Sequence, residues 1–176
     1  MDPVLVLVVR SFTALVLLLA AAHKLRDLEG FRRILGAYRL LPAAAEPVAA
    51  RLVPALELGC ALLLLAGWPG GGALAAALLA LYAVAIGANL LRGQRDLDCG
   101  CGGPGSRQPI AGWMILRNAV LALCALGTVV PLEARGWAWL DGVTVLAGPL
   151  ALVALYAAVE RLGANRVVAR QLRGAP

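Results

Sequence analysis

Five apolar stretches, each close to the length of a bilayer-crossing helix, constrain this chain more than any other feature. They run from about Val4 to Ala22, Val48 to Trp68, Ala73 to Leu91, Trp113 to Pro131 and Gly142 to Val159. A helix needs roughly 20 apolar residues to cross the hydrocarbon. The expected fold is therefore all-α, a polytopic membrane helix bundle forming one integral membrane unit over residues 1–176. Composition agrees. With 61% hydrophobic residues, 15% charged residues and a mean hydropathy of +0.83, the chain lacks the polar surface of a soluble domain. The first stretch is longer than the apolar region of a signal peptide and has no basic flank before it, so it is expected to remain as a span.

The net charge of +6 arises from 16 Lys and Arg against 10 Asp and Glu. These charges sit at the ends of the apolar runs and form no basic arm. That placement points to anionic lipid headgroups as partner and away from nucleic acid.

The linkers differ in character. Between His23 and Pro47, Phe31, Ile34, Leu35, Tyr38 and Leu41 recur at helical spacing with arginines between them, which predicts a short interfacial amphipathic helix ending near Leu41-Pro42. Pro69-Gly70-Gly71-Gly72 predicts a tight turn between antiparallel helices. Residues 92–112 form a polar loop that carries Cys99 and Cys101, and Leu132 to Asp141 holds Trp137 and Trp139 for the headgroup level. The tail from Arg161 is basic and is expected to be short helix or disordered.

Four cysteines are too few for a disulfide scaffold. Cys99 and Cys101, in Asp98-Cys99-Gly100-Cys101-Gly102-Gly103, flank a single glycine. A disulfide across that spacing closes a small strained ring, and strain makes a disulfide easier to reduce. The glycines give the backbone freedom to open and close it, and Arg95, Arg107 and Arg117 are candidates to stabilise a thiolate. The same two thiols with His23 offer a soft site for copper(I) or zinc. One His and two Met in the whole chain provide no ladder of soft ligands through the spans. A third reading is a non-catalytic scaffold for an assembly complex. Cys60 and Cys124, inside spans two and four, read either as small apolar core residues or as a second thiol pair.

Antiparallel spans bring linkers one and three to the same side. His23 and Lys24 end span one, Glu57 is early in span two, Asn89 is late in span three, and Arg117 and Asn118 are early in span four. All six fall in the half of the membrane nearest Cys99 and Cys101. Charged groups at such depth are too costly to face lipid alone, so Glu57 and Arg117 are expected to point inward, toward one another. They form either a structural ion pair or a polar pocket beneath the cysteine loop. Arg10 lies toward the opposite end with no evident partner.

An ordered set of motifs now stands out: His23-Lys24-Leu25, Tyr38-Arg39-Leu40-Leu41-Pro42, Pro54-Ala55-Leu56-Glu57, Asp98-Cys99-Gly100-Cys101-Gly102 and Trp113-Met114-Ile115-Leu116-Arg117-Asn118. Over residues 5–130 the set resembles the MauE family of methylamine utilisation proteins, within the broader DoxX-like membrane group. The resemblance implies a four-helix core with a fifth helix added and location in the bacterial plasma membrane. It also implies thiol–disulfide exchange through Cys99 and Cys101 with a thioredoxin-like partner, in the maturation of a disulfide-containing client protein. By the same resemblance His23, Lys24, Glu57, Asn89, Arg117 and Asn118 surround a cofactor site, for which a quinone is the candidate. The family's role places the cysteine loop outside the cytoplasm. The arginine count opposes that placement. Arginines crowd linkers one and three and the tail, whereas the other side has little beyond Arg135, so the positive-inside rule puts the loop in the cytoplasm.

Overall fold

The computed structural model describes residues 1–100, 108–130 and 135–173. The first helix, α1, spans Pro3–Arg26. Asp2 caps it by accepting from the Val4 amide at 2.8 Å, with Pro3 preorganising the first turn. Asp27 ends α1 and caps α2 (Leu28–Tyr38), accepting from the Gly30 amide at 2.8 Å. The predicted amphipathic helix is therefore present, but it ends at Tyr38 rather than Leu41. Arg39 takes a left-handed conformation (φ +49°) and returns its amide to the Gly36 carbonyl. A single 3₁₀ turn, Ala43–Ala45, leads into α3 (Glu46–Leu65).

Helix α4 covers Gly71–Leu91. Gly93, at φ +76°, closes it: the Gly93 amide bonds the Leu90 carbonyl and the Gln94 amide the Asn89 carbonyl, a reversal that glycine accommodates without strain. The fourth apolar run forms α5 over Gly112–Gly127 only. At 1.5 Å per residue its 16 residues fall short of the roughly 30 Å hydrocarbon thickness. The fifth run is longer than expected. Helix α6 spans Trp139–Arg173, and the tail from Arg161 to Arg173 continues it without a break.

Among the described residues, four helices are long and apolar enough to cross a membrane: Pro3–Arg26, Ala43–Leu65, Gly71–Leu91 and Trp139–Gly163, with α5 as a fifth, shorter apolar helix. The chain is an all-α, multi-pass membrane bundle. Helix α1 is central and packs on α3, α5 and α6, while α4 packs on α3 and α5. The resulting core comprises α1, α3, α4 and α5, with α6 laid against the outside of α1. Phe12, Val16 and Leu17 of α1 meet Cys60 and Leu64 of α3, Leu78 and Leu79 of α4, and Leu121 of α5. Ala14, Ala61, Ala75, Ala76 and Ala125 fill the same cluster, and small side chains let helix backbones approach in lipid. Leu152, Val153 and Tyr156 of α6 cover this core, with Tyr156 edge-on to Phe12 at 6.3 Å between centroids. Along α6, Leu146, Leu150, Leu155 and Leu162 stay exposed, as a lipid-facing helix requires.

At the end away from the cysteine loop, Arg135 joins Asp2 (Nε to Oδ2, 2.8 Å) and Asp141 (Nη2 to Oδ1, 2.9 Å). Trp137 and Trp139 are exposed beside them. Arg10 has no ion-pair partner among the described residues. Its guanidinium lies by Gly67, against the C-terminal end of α3, where a helix end favours positive charge.

Candidate functional site

The loop after α4 folds back as a short hairpin. Asp98 and Pro109 form an isolated antiparallel bridge. The Cys99 amide donates to the Gln108 carbonyl at 3.0 Å, and the Ile110 amide donates to the Leu97 carbonyl at 2.9 Å. These bonds fix the backbone of Cys99 at the head of α5. Gly100 follows at φ +71°, its amide donating to Asp98 Oδ1 at 3.1 Å. A Cβ there would be strained by that backbone, and it would lie about 3.5 Å from Phe31 and Ile34 of α2. Helix α2 thus roofs the hairpin. Tyr38, Ile86, Ile110 and Met114 form a second small apolar cluster, against which Ile34, Leu97, Trp113 and Cys99 pack. Cys101 lies outside the described residues, so the predicted Cys99/Cys101 pair is represented by one of its two thiols.

Cys99 is half-buried beside a cation. Arg117, on the second turn of α5, places Nη2 3.7 Å from Cys99 Sγ. Its Nη1 donates to Glu160 Oε1 of α6 at 2.7 Å, and both side chains are largely buried. The guanidinium also lies over the Trp113 ring, 5.6 Å from its centroid. Helix α6 comes this close to α5 because residue 163 is glycine. A Cβ at Gly163 would overlap the Trp113 ring, at 2.5 Å from Cζ2.

A second ionic group lies deeper. Lys24 Nζ meets Glu57 Oε1 at 2.5 Å, with 4% and 0% of their side chains exposed. Tyr82 of α4 donates its hydroxyl to the same carboxylate oxygen at 2.8 Å, and the ammonium lies 5.4 Å from the centroids of both Phe31 and Tyr82. Glu57 and Arg117 point inward and border one cavity, as expected, but their ion pairs are with other residues. Each takes a different partner, Lys24 for Glu57 and Glu160 for Arg117. Lys24 accordingly turns inward instead of extending to the headgroups. A buried carboxylate in apolar surroundings is tolerable only with such a counter-charge and hydrogen bonds.

The other candidates divide. Asn118 is buried and donates to the Met114 carbonyl at 2.9 Å, and Asn89 donates to Ala85 at 3.0 Å. The Asn89 Oδ1 is buried without a hydrogen-bond partner among the described residues. His23, Glu57, Arg117 and Asn118 share a partly open cavity of about 370 Å³. Its apolar walls come from Val16 and Leu17 of α1, Leu121 of α5, and Val153 and Ala157 of α6. Tyr82, Gln108, Tyr156, Glu160 and Arg161 complete its polar lining. Lys24 and Asn89 do not line it.

Tyr82, Gln108 and Glu160 are absent from the sequence-based set. Glu160 carried a detectable signal, being an acidic residue near the end of an otherwise apolar run, at the same membrane level as Arg117. Cys60 is buried in the main core and Cys124 is half-buried; both are free thiols. Among the described residues, no three His, Cys, Asp or Glu side chains stand close enough to hold a metal ion.

Residues 2–131 match the family model described as methylamine utilisation protein MauE. The chain is 37% identical over 167 residues to the methylamine utilization protein MauE of Paracoccus denitrificans, covering 92% of this chain and 89% of that one. It is 38% identical over 165 residues to that of Methylophilus methylotrophus, covering 90% and 86%. Against that of Methylorubrum extorquens it is 38% identical over 159 residues, covering 89% and 81%. No solved structure matches the chain.

Proposed function

The chain belongs to the MauE family of methylamine utilisation proteins, and on that premise we propose that it is a membrane thiol–disulfide redox protein working through Cys99 and Cys101. Its disulfide form exchanges with the dithiol of a thioredoxin-like partner, which in turn matures a disulfide-containing client. The exchange is balanced. One partner thiolate attacks the Cys99–Cys101 bond and forms a mixed disulfide, and the second partner thiol then displaces it. Two electrons and two protons pass from the partner to Cys99 and Cys101.

The observation that carries this reading is the 3.7 Å approach of Arg117 Nη2 to Cys99 Sγ. A thiolate is both the attacking and the leaving species in exchange, and a guanidinium beside it lowers the cost of its charge. Glu160 holds that guanidinium from the other side. The hairpin bonds keep the Cys99 backbone in register, while Gly100 supplies the turn next to it. A protein that only scaffolds other proteins has no use for a cation placed against a loop thiol.

Mixed-disulfide trapping tests the proposal. Full-length Cys101→Ala protein in membranes, mixed with a thioredoxin-like partner that lacks its resolving cysteine and carries its remaining one as a mixed disulfide with thionitrobenzoate, should accumulate a covalent adduct through Cys99 as the Cys99 thiolate displaces thionitrobenzoate. The converse variant, Cys99→Ala, should trap through Cys101 if that thiol attacks. Absence of an adduct from both variants contradicts the proposal.

A further inference from the structure

We propose that the cavity between α1, α5 and α6 binds a membrane-soluble quinone-class ring that accepts the electrons of the Cys99–Cys101 dithiol, an inference that rests on the thiol–disulfide reading above. About 370 Å³ lies within the roughly 300–1,000 Å³ of small-molecule sites. Much of the wall is apolar, and three lining residues are exposed: Leu19 and Ala157 on the outer surfaces of α1 and α6, and the charged Arg161 one turn beyond Ala157. The apolar gap between α1 and α6 gives an occupant a way in from lipid, with Arg161 at its polar end.

The polar lining connects two kinds of chemistry. Arg117 borders the cavity and also touches the Cys99 thiol, which sets the electron source beside it. Glu57 and Tyr82 border it as well, and both belong to the buried Lys24–Glu57–Tyr82 group that can hold or move a proton. His23 and Asn118 supply further hydrogen-bonding groups. Gln108 adds an amide whose oxygen is buried without a partner among the described residues, so it can accept a hydrogen bond from a hydroxyl of the reduced ring without giving up an existing bond. A lipid-soluble occupant set between a dithiol and proton-bearing groups must take up both electrons and protons, and a quinone does so. When the two S–H bonds of Cys99 and Cys101 break and the S–S bond forms, two electrons and two protons leave. The ring's two carbonyl oxygens gain those protons as the ring is reduced to a hydroquinone.

Photolabelling tests the site independently of turnover. Full-length protein in nanodiscs is illuminated with a short-chain azidoquinone and the labelled peptides are mapped. Label should concentrate in residues 16–23 and 153–161, fall at least tenfold with excess unlabelled short-chain ubiquinone, and persist with excess dodecanol. Val153→Trp, which fills the cavity, should lower that label by a similar factor. Label spread over lipid-facing helices, or displaced equally by dodecanol, identifies a groove for lipid tails and overturns the proposal. The thiol reading is read out separately, by stoichiometric oxidation of a thioredoxin-like dithiol with the disulfide form and no quinone. Oxidation without specific labelling removes the quinone site alone. Specific labelling without oxidation keeps the site and removes the thiol reading.

Discussion

Arg117 joins two elements that the chain brings together from far apart: Nη1 donates to Glu160 Oε1 at 2.7 Å while Nη2 reaches Cys99 Sγ at 3.7 Å. The guanidinium is shared between a carboxylate and a thiol. Whatever weakens one contact changes the charge available to the other, and α6 is thereby tied to the chemistry of the loop.

Replacing Arg117 with Met removes that cation. In a background where Cys60, Cys101 and Cys124 are Ser, the rate of Cys99 alkylation by iodoacetamide at pH 7 should fall roughly tenfold, the effect of about 1.4 kcal/mol on a thiolate. An unchanged rate shows that the guanidinium does not act on the sulfur.

Glu160→Gln should act in the opposite direction. The amide still accepts a hydrogen bond from Nη1, but it no longer offsets the charge, so Cys99 alkylation at pH 7 should rise a few-fold. A merely structural role for the ion pair predicts that the Arg117 and Glu160 variants change the rate in the same direction.

Lys24 and Glu57 are nearly sealed from solvent, so removing one of them leaves a buried charge. Glu57→Leu should destabilise the folded protein by about 3–5 kcal/mol, measured by thermal unfolding in detergent. Adding Lys24→Met should recover most of the loss, because an apolar pair of similar volume needs no counter-charge. Failure of the second substitution to rescue the first contradicts the assignment of the two as partners.

At the opposite end, the hydrogen bond from Arg135 holds the Asp2 carboxyl below its ordinary carboxylate range. A group with a depressed folded-state pKa contributes stability at pH values above its unfolded pKa, and loses it as pH falls through the folded one. Wild-type protein should therefore lose melting temperature more steeply than Asp2→Asn on acidification below about pH 4. Because the pair is exposed, the difference should be small and should shrink further with added salt.

Residue counting from the membrane boundary made depth legible. Antiparallel order alone put His23, Lys24, Glu57, Asn89, Arg117 and Asn118 in the half of the membrane nearest the cysteine loop, and the structure brings four of them, His23, Glu57, Arg117 and Asn118, to one cavity. Azimuth was not legible, since it depends on the order of helices around the bundle. Glu57 and Arg117 share a level, yet α3 offers Glu57 to α1 and α4, while Arg117 on α5 turns toward α6. Tyr82 and Glu160 entered the site by the same route. The hairpin escaped notice because its single bridge, Asp98 to Pro109, leaves no alternating pattern in so short a loop. The apolar run through Pro131 overstated α5, whose helix ends at Gly127, whereas α6 outran its apolar run because helix continues into polar residues once clear of the hydrocarbon.

The most direct test of the account is the redox titration of Cys99 and Cys101 in membrane-embedded, full-length protein. The protein is equilibrated across thiol/disulfide buffers, trapped by alkylation, and the two thiols are counted by mass. The account predicts that both convert together as one two-electron couple, with a potential above the roughly −300 mV below which structural disulfides lie. Two thiols that remain alkylatable at every poise, or that titrate independently, would contradict it.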